Sequence, residues 1–153
     1  MKKQGFTLIE LMVVIVIMGI LAAVAVPKLF GQIAKSKASE VATNASAYKT
    51  SQDAYAVGAN SLGSAEQIQY DVPSFKTGNS FRYTVASSTP FAWEAEAKTG
   101  LNDCNNGAKW TLTPDIDTET GKVQYGTAIA NGGSGYATSC EVLTPGFKAL
   151  GTN

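Results

Sequence analysis

The sequence predicts an α+β protein in which one long N-terminal helix packs on a four-stranded antiparallel sheet formed by the C-terminal half. Three observations predict this fold. A nearly uninterrupted apolar run lies between Phe6 and Val26. An apolar stripe at helical spacing follows this run, so the helix is apolar in its first half and amphipathic in its second. Two pairs of alternating segments in residues 80–128 are typical of β-hairpins.

The apolar run is long enough to cross a membrane. It holds 21 residues, of which only Thr7 and Glu10 are polar, and a helix of about 20 apolar residues spans a bilayer. Lys2 and Lys3 precede it, so the positive-inside rule keeps the N-terminus in the cytoplasm and exports the rest. A cleaved secretory signal peptide is the alternative, because Ala22, Ala23 and Ala25 imitate its cleavage site. The acid Glu10 argues against that alternative.

Glu10 is the informative polar residue of this run. At about 1.5 Å of rise per residue it lies ~6 Å along the helix from Phe6, near the cytoplasmic edge of the membrane. A charge at the centre of a bilayer costs about 2.5–3.5 kcal/mol on insertion scales, and less near the edge. The segment offers no cation at this depth, but cleavage just before Phe6 would create one at the new amino terminus. Alternatively, the carboxylate reaches the lipid headgroups and has no function.

The N-terminal residues closely resemble the start of type IV pilins and pseudopilins. The family pattern is a short basic leader ending in glycine, then Phe-Thr-Leu-Ile-Glu and a long apolar helix. In this sequence the leader ends at Gly5, the motif runs from Phe6 to Glu10, and Pro27 follows the apolar run. The resemblance implies that a prepilin peptidase cleaves between Gly5 and Phe6 and methylates the new Phe6 amine. It also implies that Glu10 contacts the Phe6 amine of a neighbouring subunit during assembly. A misregistered neighbour would leave two charges unpaired, which gives specificity.

Gly19 and Pro27 bracket a segment of low helical stability. Proline lacks an N–H and its ring clashes with the carbonyl four residues earlier, and glycine costs about 1 kcal/mol relative to alanine in a helix. An ordinary membrane helix is the alternative, because both residues are fairly common in such helices. In pilin-like filaments the corresponding segment loses helical order, and the resemblance implies the same loss here.

The chain is predicted to comprise five parts. These are a leader (1–5), a transmembrane and assembly helix (6–27), an amphipathic helix (28–57), a helix-to-sheet loop (58–79), and a sheet with a disulfide-bounded C-terminal region (80–153). The helix is expected from about Phe6 to Val57, because Gly58 and Gly63 end its pattern. Its tyrosines belong to the core or an interface, and an aromatic electron relay is the alternative. The stripe that packs on the sheet comprises Ala34, Ala38, Val41, Ala45, Tyr48 and Tyr55.

The predicted strands cover residues 80–86, 91–97, 109–116 and 122–128. Pro114 is expected to put the third strand at an edge of the sheet or to end it early. After the fourth strand the chain is expected to end in loops. On the second strand the residues predicted to share one face are Phe91, Trp93, Ala95 and Ala97.

Cys104 and Cys140 are the two cysteines, and in an exported chain they most simply form one disulfide. Two free thiols are the alternative. The chain has no histidine, which excludes Ser-His-Asp and Cys-His catalysis and every His-ligated metal site.

Asp115, Asp117 and Glu119 alternate in a way that resembles a calcium loop. Thr120 stands where the EF-hand spacing needs glycine, and on a strand the three acids would share one solvated face. They are the calcium candidate, because the major pseudopilins of type II secretion bind calcium in their C-terminal half. Otherwise no metal and no cofactor are expected.

The resemblance predicts a structural subunit of a type IV pilus (fimbrium) that forms a helical homopolymer serving adhesion or motility. Expected partners are the prepilin peptidase, a platform protein and assembly ATPases. The chain would occupy the bacterial inner membrane before assembly and the extracellular pilus afterwards. Loss of Lys2 and Lys3 leaves 10 basic against 12 acidic residues, a net charge of −2, so no specific nucleic acid is expected. A pseudopilin of a type II secretion system and a membrane-anchored enzyme are the alternatives.

Overall fold

The structure is a computed structural model that describes residues 5–76, 78–133 and 137–151. It confirms the predicted fold class, a long N-terminal helix followed by a four-stranded antiparallel sheet. The chain divides into two compact units, Met1–Ile33 and Ala34–Asn153. The elements are α1 (Leu8–Ala59), β1 (Phe81–Val85), β2 (Trp93–Ala97), β3 (Lys109–Asp117), β4 (Lys122–Ala130), α2 (Ala137–Leu143) and α3 (Pro145–Lys148).

The first unit contains the beginning of α1, whose apolar side chains are exposed. Every large apolar side chain from Phe6 to Ile33 is at least 44 % exposed. By length and composition alone, this helix is able to cross a membrane. The helix continues through Gly19 and Pro27. The predicted loss of helical order between them concerns the packed filament and stays a prediction.

In the second unit, α1 buries one face in the core that it forms with the sheet. Tyr55, predicted to lie on this face, is only half-buried, whereas Gln52 and Ala56 are fully buried. The difference arises because a straight helix has 3.6 residues per turn, so a sevenfold spacing drifts around its surface. The buried positions are Ala34, Ala38, Val41, Ala45, Tyr48, Gln52 and Ala56.

The four strands pair in chain order, β1-β2-β3-β4, and every pair is antiparallel. The expectation that Pro114 ends the third strand or puts it at an edge is wrong, because β3 runs past Pro114 and lies between β2 and β4. The last pair between β2 and β3 is Trp93 with Leu112, whereas Pro114 pairs with Tyr125 of β4. Pro114 therefore lies beyond the part of β3 that pairs with β2. Its missing N–H leaves no hydrogen bond to β2 unmade, so proline is tolerated in this central strand.

The second strand begins at Trp93 rather than at the predicted Phe91. Phe91 has a φ of 54°, outside the range of strands. Its carbonyl oxygen accepts a hydrogen bond of 2.6 Å from the Tyr48 hydroxyl of α1. The predicted inner face is confirmed for Trp93, Ala95 and Ala97, each of which is fully buried.

Two short helices form where the sequence predicted terminal loops. The Cys104–Cys140 disulfide, with its Cα atoms 4.9 Å apart, joins α2 to the segment between β2 and β3. Phe147 of α3 is fully buried in the core. The Trp110 Nε1–H of β3 donates a 2.8 Å hydrogen bond to Thr144 Oγ1 between the two helices. The disulfide and these contacts attach the C-terminal region to the sheet.

A buried glutamine attaches the helix-to-sheet loop to α1. Gln52 Oε1 accepts a hydrogen bond from the N–H of Gly63, and Gln52 Nε2 donates one to the carbonyl of Gly63, both at 3.0 Å. Gln52 Nε2 also lies 3.0 Å from the Tyr48 hydroxyl oxygen. A Cβ on Gly63 would lie 2.7 Å from Cγ2 of Ile68, so only glycine fits beside this side chain.

Changing Gln52 to leucine is expected to destabilise the second unit by about 2–4 kcal/mol. The change leaves the N–H and the C=O of Gly63 buried without partners, and each such group costs about 1–3 kcal/mol. Urea unfolding of the full chain in detergent measures the effect. Gln124→Leu on the exposed face of β4 is the matched control, with an expected change within about 0.5 kcal/mol. Equal losses of stability in the two variants would contradict the role of Gln52.

Candidate assembly site

The predicted assembly residues Phe6 and Glu10 lie at the start of α1, on either side of Thr7. The Thr7 carbonyl accepts a hydrogen bond from the Leu11 N–H at 3.3 Å, which places Thr7 at the helix cap. Thr7 Oγ1 accepts a hydrogen bond from the Glu10 N–H at 3.3 Å. In return, Glu10 Oε2 accepts hydrogen bonds from the Thr7 N–H and the Thr7 hydroxyl, both at 2.8 Å. This reciprocal arrangement is a capping box.

The capping box supplies Glu10 with partners that the sequence analysis did not identify. The expected partner was a cation, whereas the donors are the N–H and the hydroxyl of Thr7. The pattern Thr-x-x-Glu before an apolar run predicts such a box and was the signal available. Among the described residues no donor reaches the other oxygen, Oε1. In the described part of the chain, that oxygen therefore keeps the capacity to accept a further hydrogen bond.

Apolar side chains surround the Glu10 carboxylate on the helix surface. Phe6 is 93 % exposed, and a shallow groove is lined by Phe6, Ile9, Glu10, Val13 and Val14. The Gly5–Phe6 peptide bond precedes the first helical residue, Leu8, and both residues beside the bond are exposed. Once lipid or another helix covers these apolar side chains, few water molecules compete for the carboxylate, which then suits a charge-assisted hydrogen bond to a cationic donor.

The structure does not bring Asp115, Asp117 and Glu119 together as a metal-binding group. Strand β3 ends at Asp117, so Glu119 lies in the turn and the alternation predicted for a strand stops before it. Hydrogen bonds from the Thr120 side chain, and then from the backbone N–H groups of Glu119 and Thr120, lower the pKa of Asp117. Within the described ranges, no group of three or more His, Cys, Asp or Glu residues is placed to hold a metal ion.

Comparisons with known proteins find similar sequences among pilins and related proteins. Residues 1–26 match the family model described as the prokaryotic N-terminal methylation motif. The chain is 39 % identical over 94 residues to the type IV major pilin protein PilA of Myxococcus xanthus (strain DK1622), covering 57 % of this chain and 39 % of that protein. These matches support the resemblance of this chain to type IV pilins and pseudopilins.

The similar proteins include both fimbrial proteins and secretion proteins. The chain is 40 % identical over 89 residues to fimbrial protein Q of Moraxella bovis, covering 56 % of this chain and 57 % of that protein. It is 42 % identical over 66 residues to type II secretion system core protein G of Klebsiella michiganensis, covering 43 % of this chain and 46 % of that protein. The chain thus spans about half of the length of the curated relatives that it matches. No solved structure matches it significantly.

Proposed function

We propose that this chain is a structural subunit of a type IV pilus and polymerises through α1 into a helical filament. The exposed apolar surface from Phe6 to Ile33 carries this proposal. A surface of this size needs an apolar partner. Lipid covers it before assembly, and the α1 helices of other copies cover it in the filament. The relatives named as pilins and fimbrial proteins support this interpretation.

The assembly step joins two charges that are each poorly solvated. A prepilin peptidase hydrolyses the Gly5–Phe6 peptide bond and methylates the new Phe6 amine. The amine of one copy then donates a hydrogen bond to Glu10 of the next copy, and this contact sets the register of the two helices. Two hydrogen bonds from Thr7 already hold Oε2 of Glu10, so the Glu10 side chain is partly ordered before the two copies meet.

In this proposal the subunit itself performs no chemistry. The peptidase, a platform protein and assembly ATPases act on it, and it moves from the inner membrane to the extracellular pilus. A chain without histidine has fewer routes to acid–base catalysis at neutral pH, which agrees with a structural role.

A pseudopilin of a type II secretion system is the second candidate, because relatives are named as core protein G of that system. Two features favour the pilus subunit. The chain has a disulfide, and Asp115, Asp117 and Glu119 do not form a metal-binding group in the part of the chain that is described. Bound calcium and a secretion defect without loss of surface filaments would favour the pseudopilin.

Electron microscopy of producing cells, with and without this chain, tests the proposed function. We expect filaments to disappear without the chain, and the subunit of sheared filaments to begin at a methylated Phe6 by mass spectrometry. As a control, Gly5→Leu should block cleavage and leave an uncut chain in the membrane. A mature chain that begins near Val24 or Val26 would indicate an ordinary signal peptide instead. An uncut, dispersed monomer on cells without filaments would contradict the proposal.

A further inference from the structure

Two asparagine–glycine pairs lie in two loops that contact each other. The chain contains two such pairs, Asn106–Gly107 and Asn131–Gly132. Asn131 Oδ1 accepts a hydrogen bond from the N–H of Asn105 at 3.1 Å. The backbones of the two glycines also touch, because a Cβ on Gly107 would lie 3.7 Å from Cα of Gly132. The loop that precedes β3 and the loop that follows β4 are thus joined side by side.

The backbone geometry explains why glycine follows each asparagine. Gly107 has a φ of 82° and is the third residue of a turn, which the Ala108 N–H closes by donating to the carbonyl of Asn105 at 3.2 Å. A φ in this range favours glycine. At the second pair, a Cβ on Gly132 would overlap the backbone of Gly107. The close contact of the two loops therefore depends on both glycines.

An asparagine followed by glycine is chemically labile, because glycine has no side chain that hinders ring closure. The backbone nitrogen of the glycine loses its proton and attacks Cγ of the asparagine. A C–N bond forms, the bond from Cγ to Nδ2 breaks, and ammonia leaves. Water then opens the resulting succinimide to aspartate or isoaspartate. Water is the one co-reactant of this reaction, and Asn106 is exposed to it.

Hydrogen bonding in the folded chain opposes this reaction at Asn106. The nucleophile is the nitrogen of Gly107, and its N–H donates a 2.8 Å hydrogen bond to the carbonyl of Ala97. This bond keeps the proton on the nitrogen and fixes the peptide plane, so the nitrogen does not turn towards Cγ. The glycine contact and the bond from Asn105 to Asn131 hold the same turn against the loop after β4. These constraints must open before the ring closes.

We propose that Asn106 is a modification site that the contact between the two loops protects and that reacts when the loops separate. Isoaspartate adds one atom to the backbone and one negative charge to the surface. The turn that Ala108 closes then has the wrong length to form again, because its hydrogen bond joins residues at a fixed spacing. The reaction thus marks permanently each chain whose loops have opened. This inference does not depend on the proposed function.

Deamidation of the full chain in detergent tests this proposal. The native chain and the same chain unfolded in urea are kept at mildly alkaline pH. Mass spectrometry of the peptide that contains Asn106 measures the formation of aspartate and isoaspartate over time. We expect the native chain to react at least about tenfold more slowly, because only its opened fraction reacts. Equal rates in the native and the unfolded chain would overturn the proposal.

Two variants test the loop contact and keep the Asn106–Gly107 sequence. Gly132→Ala places a Cβ against the backbone of Gly107 and should speed the reaction at Asn106 at least about tenfold. Asn131→Ala removes the hydrogen bond to the neighbouring loop and should speed the reaction about fivefold. Gly126→Ala, whose Cβ would meet no atom closer than 3.9 Å, is the control and should react at the native rate.

Circular dichroism verifies that each variant is folded, and Asn131→Ala decides the test if Gly132→Ala does not fold. A native rate in Asn131→Ala, and in Gly132→Ala where it folds, would overturn the protective role of the loop contact. Faster reaction in these variants than in Gly126→Ala would support it.

Discussion

Replacing Glu10 by alanine is expected to abolish filaments while leaving the chain in the membrane. The change makes the apolar run more hydrophobic, so insertion is retained. In the filament, however, it leaves the Phe6 ammonium of each neighbour without its counter-charge. Removal of one partner from a buried ion pair costs about 3–5 kcal/mol. That cost weakens each assembly step by about two to four powers of ten, at about 1.4 kcal/mol per tenfold change.

Two further variants separate the charge of Glu10 from its role in the capping box. Glu10→Gln keeps the shape of the side chain and an oxygen that accepts from Thr7, but it removes the charge, and we expect it to abolish filaments as well. Thr7→Val removes the cap at a cost of about 0.5–2 kcal/mol and keeps the carboxylate, so filaments should persist. Immunoblots of the membrane and sheared fractions, with electron microscopy, provide the measurement. A normal filament yield from Glu10→Ala would contradict the pairing of Glu10 with Phe6.

Removing the disulfide is expected to destabilise the second unit by about 4 kcal/mol. Cys104 and Cys140 are 36 positions apart. In the loop-closure model, closing a loop of this length lowers the entropy of the unfolded chain, which corresponds to about 4 kcal/mol of stability at room temperature. The bridge also attaches α2, which contacts α3 with its buried Phe147, to the segment between β2 and β3. We therefore expect the C-terminal region to detach before the remainder of the sheet unfolds.

The disulfide prediction is tested with the double variant Cys104→Ala and Cys140→Ala. Alanine avoids placing hydroxyl groups at two fully buried positions. Urea unfolding of the full chain in detergent gives the change in free energy, and hydrogen exchange in α2 and α3 reports their detachment. Ser139→Ala, beside Cys140, is the control and should change stability by no more than about 0.5 kcal/mol. A double variant as stable as that control would rule out a stabilising role for the bridge.

The helix and the strands were predictable because their signals are local. The apolar stripe of α1 and the alternation of Trp93, Ala95 and Ala97 repeat with the period of the structure that they form. Their ends were less predictable. The helix passes Gly58 and stops at Ala59, since a single glycine costs only about 1 kcal/mol. Phe91 leaves the second strand, and its carbonyl bonds to Tyr48 of α1, a residue 43 positions away.

The candidate site was also recognisable in part from local sequence. The motif from Gly5 to Glu10 indicates the assembly residues, and the capping box between Thr7 and Glu10 follows from the spacing of two side chains. The cleavage, the methylation and the pairing of Glu10 with a neighbouring Phe6 remain predictions. They depend on a peptidase or on a second copy, and each has its experiment above.

Sequence alone was enough for the order of the long helix and the four strands, the apolar character of the first unit and the α+β class, because these depend on neighbours along the chain. Only three-dimensional packing decided that Gln52 is buried and bonded to Gly63, that Pro114 lies in a central strand, and that the C-terminal region forms helices around Phe147. The reason is that burial depends on which distant segment arrives at a side chain. A polar side chain is tolerated in a buried position when that segment supplies its hydrogen bonds. A proline is tolerated in a strand when that segment requires no hydrogen bond from the proline nitrogen.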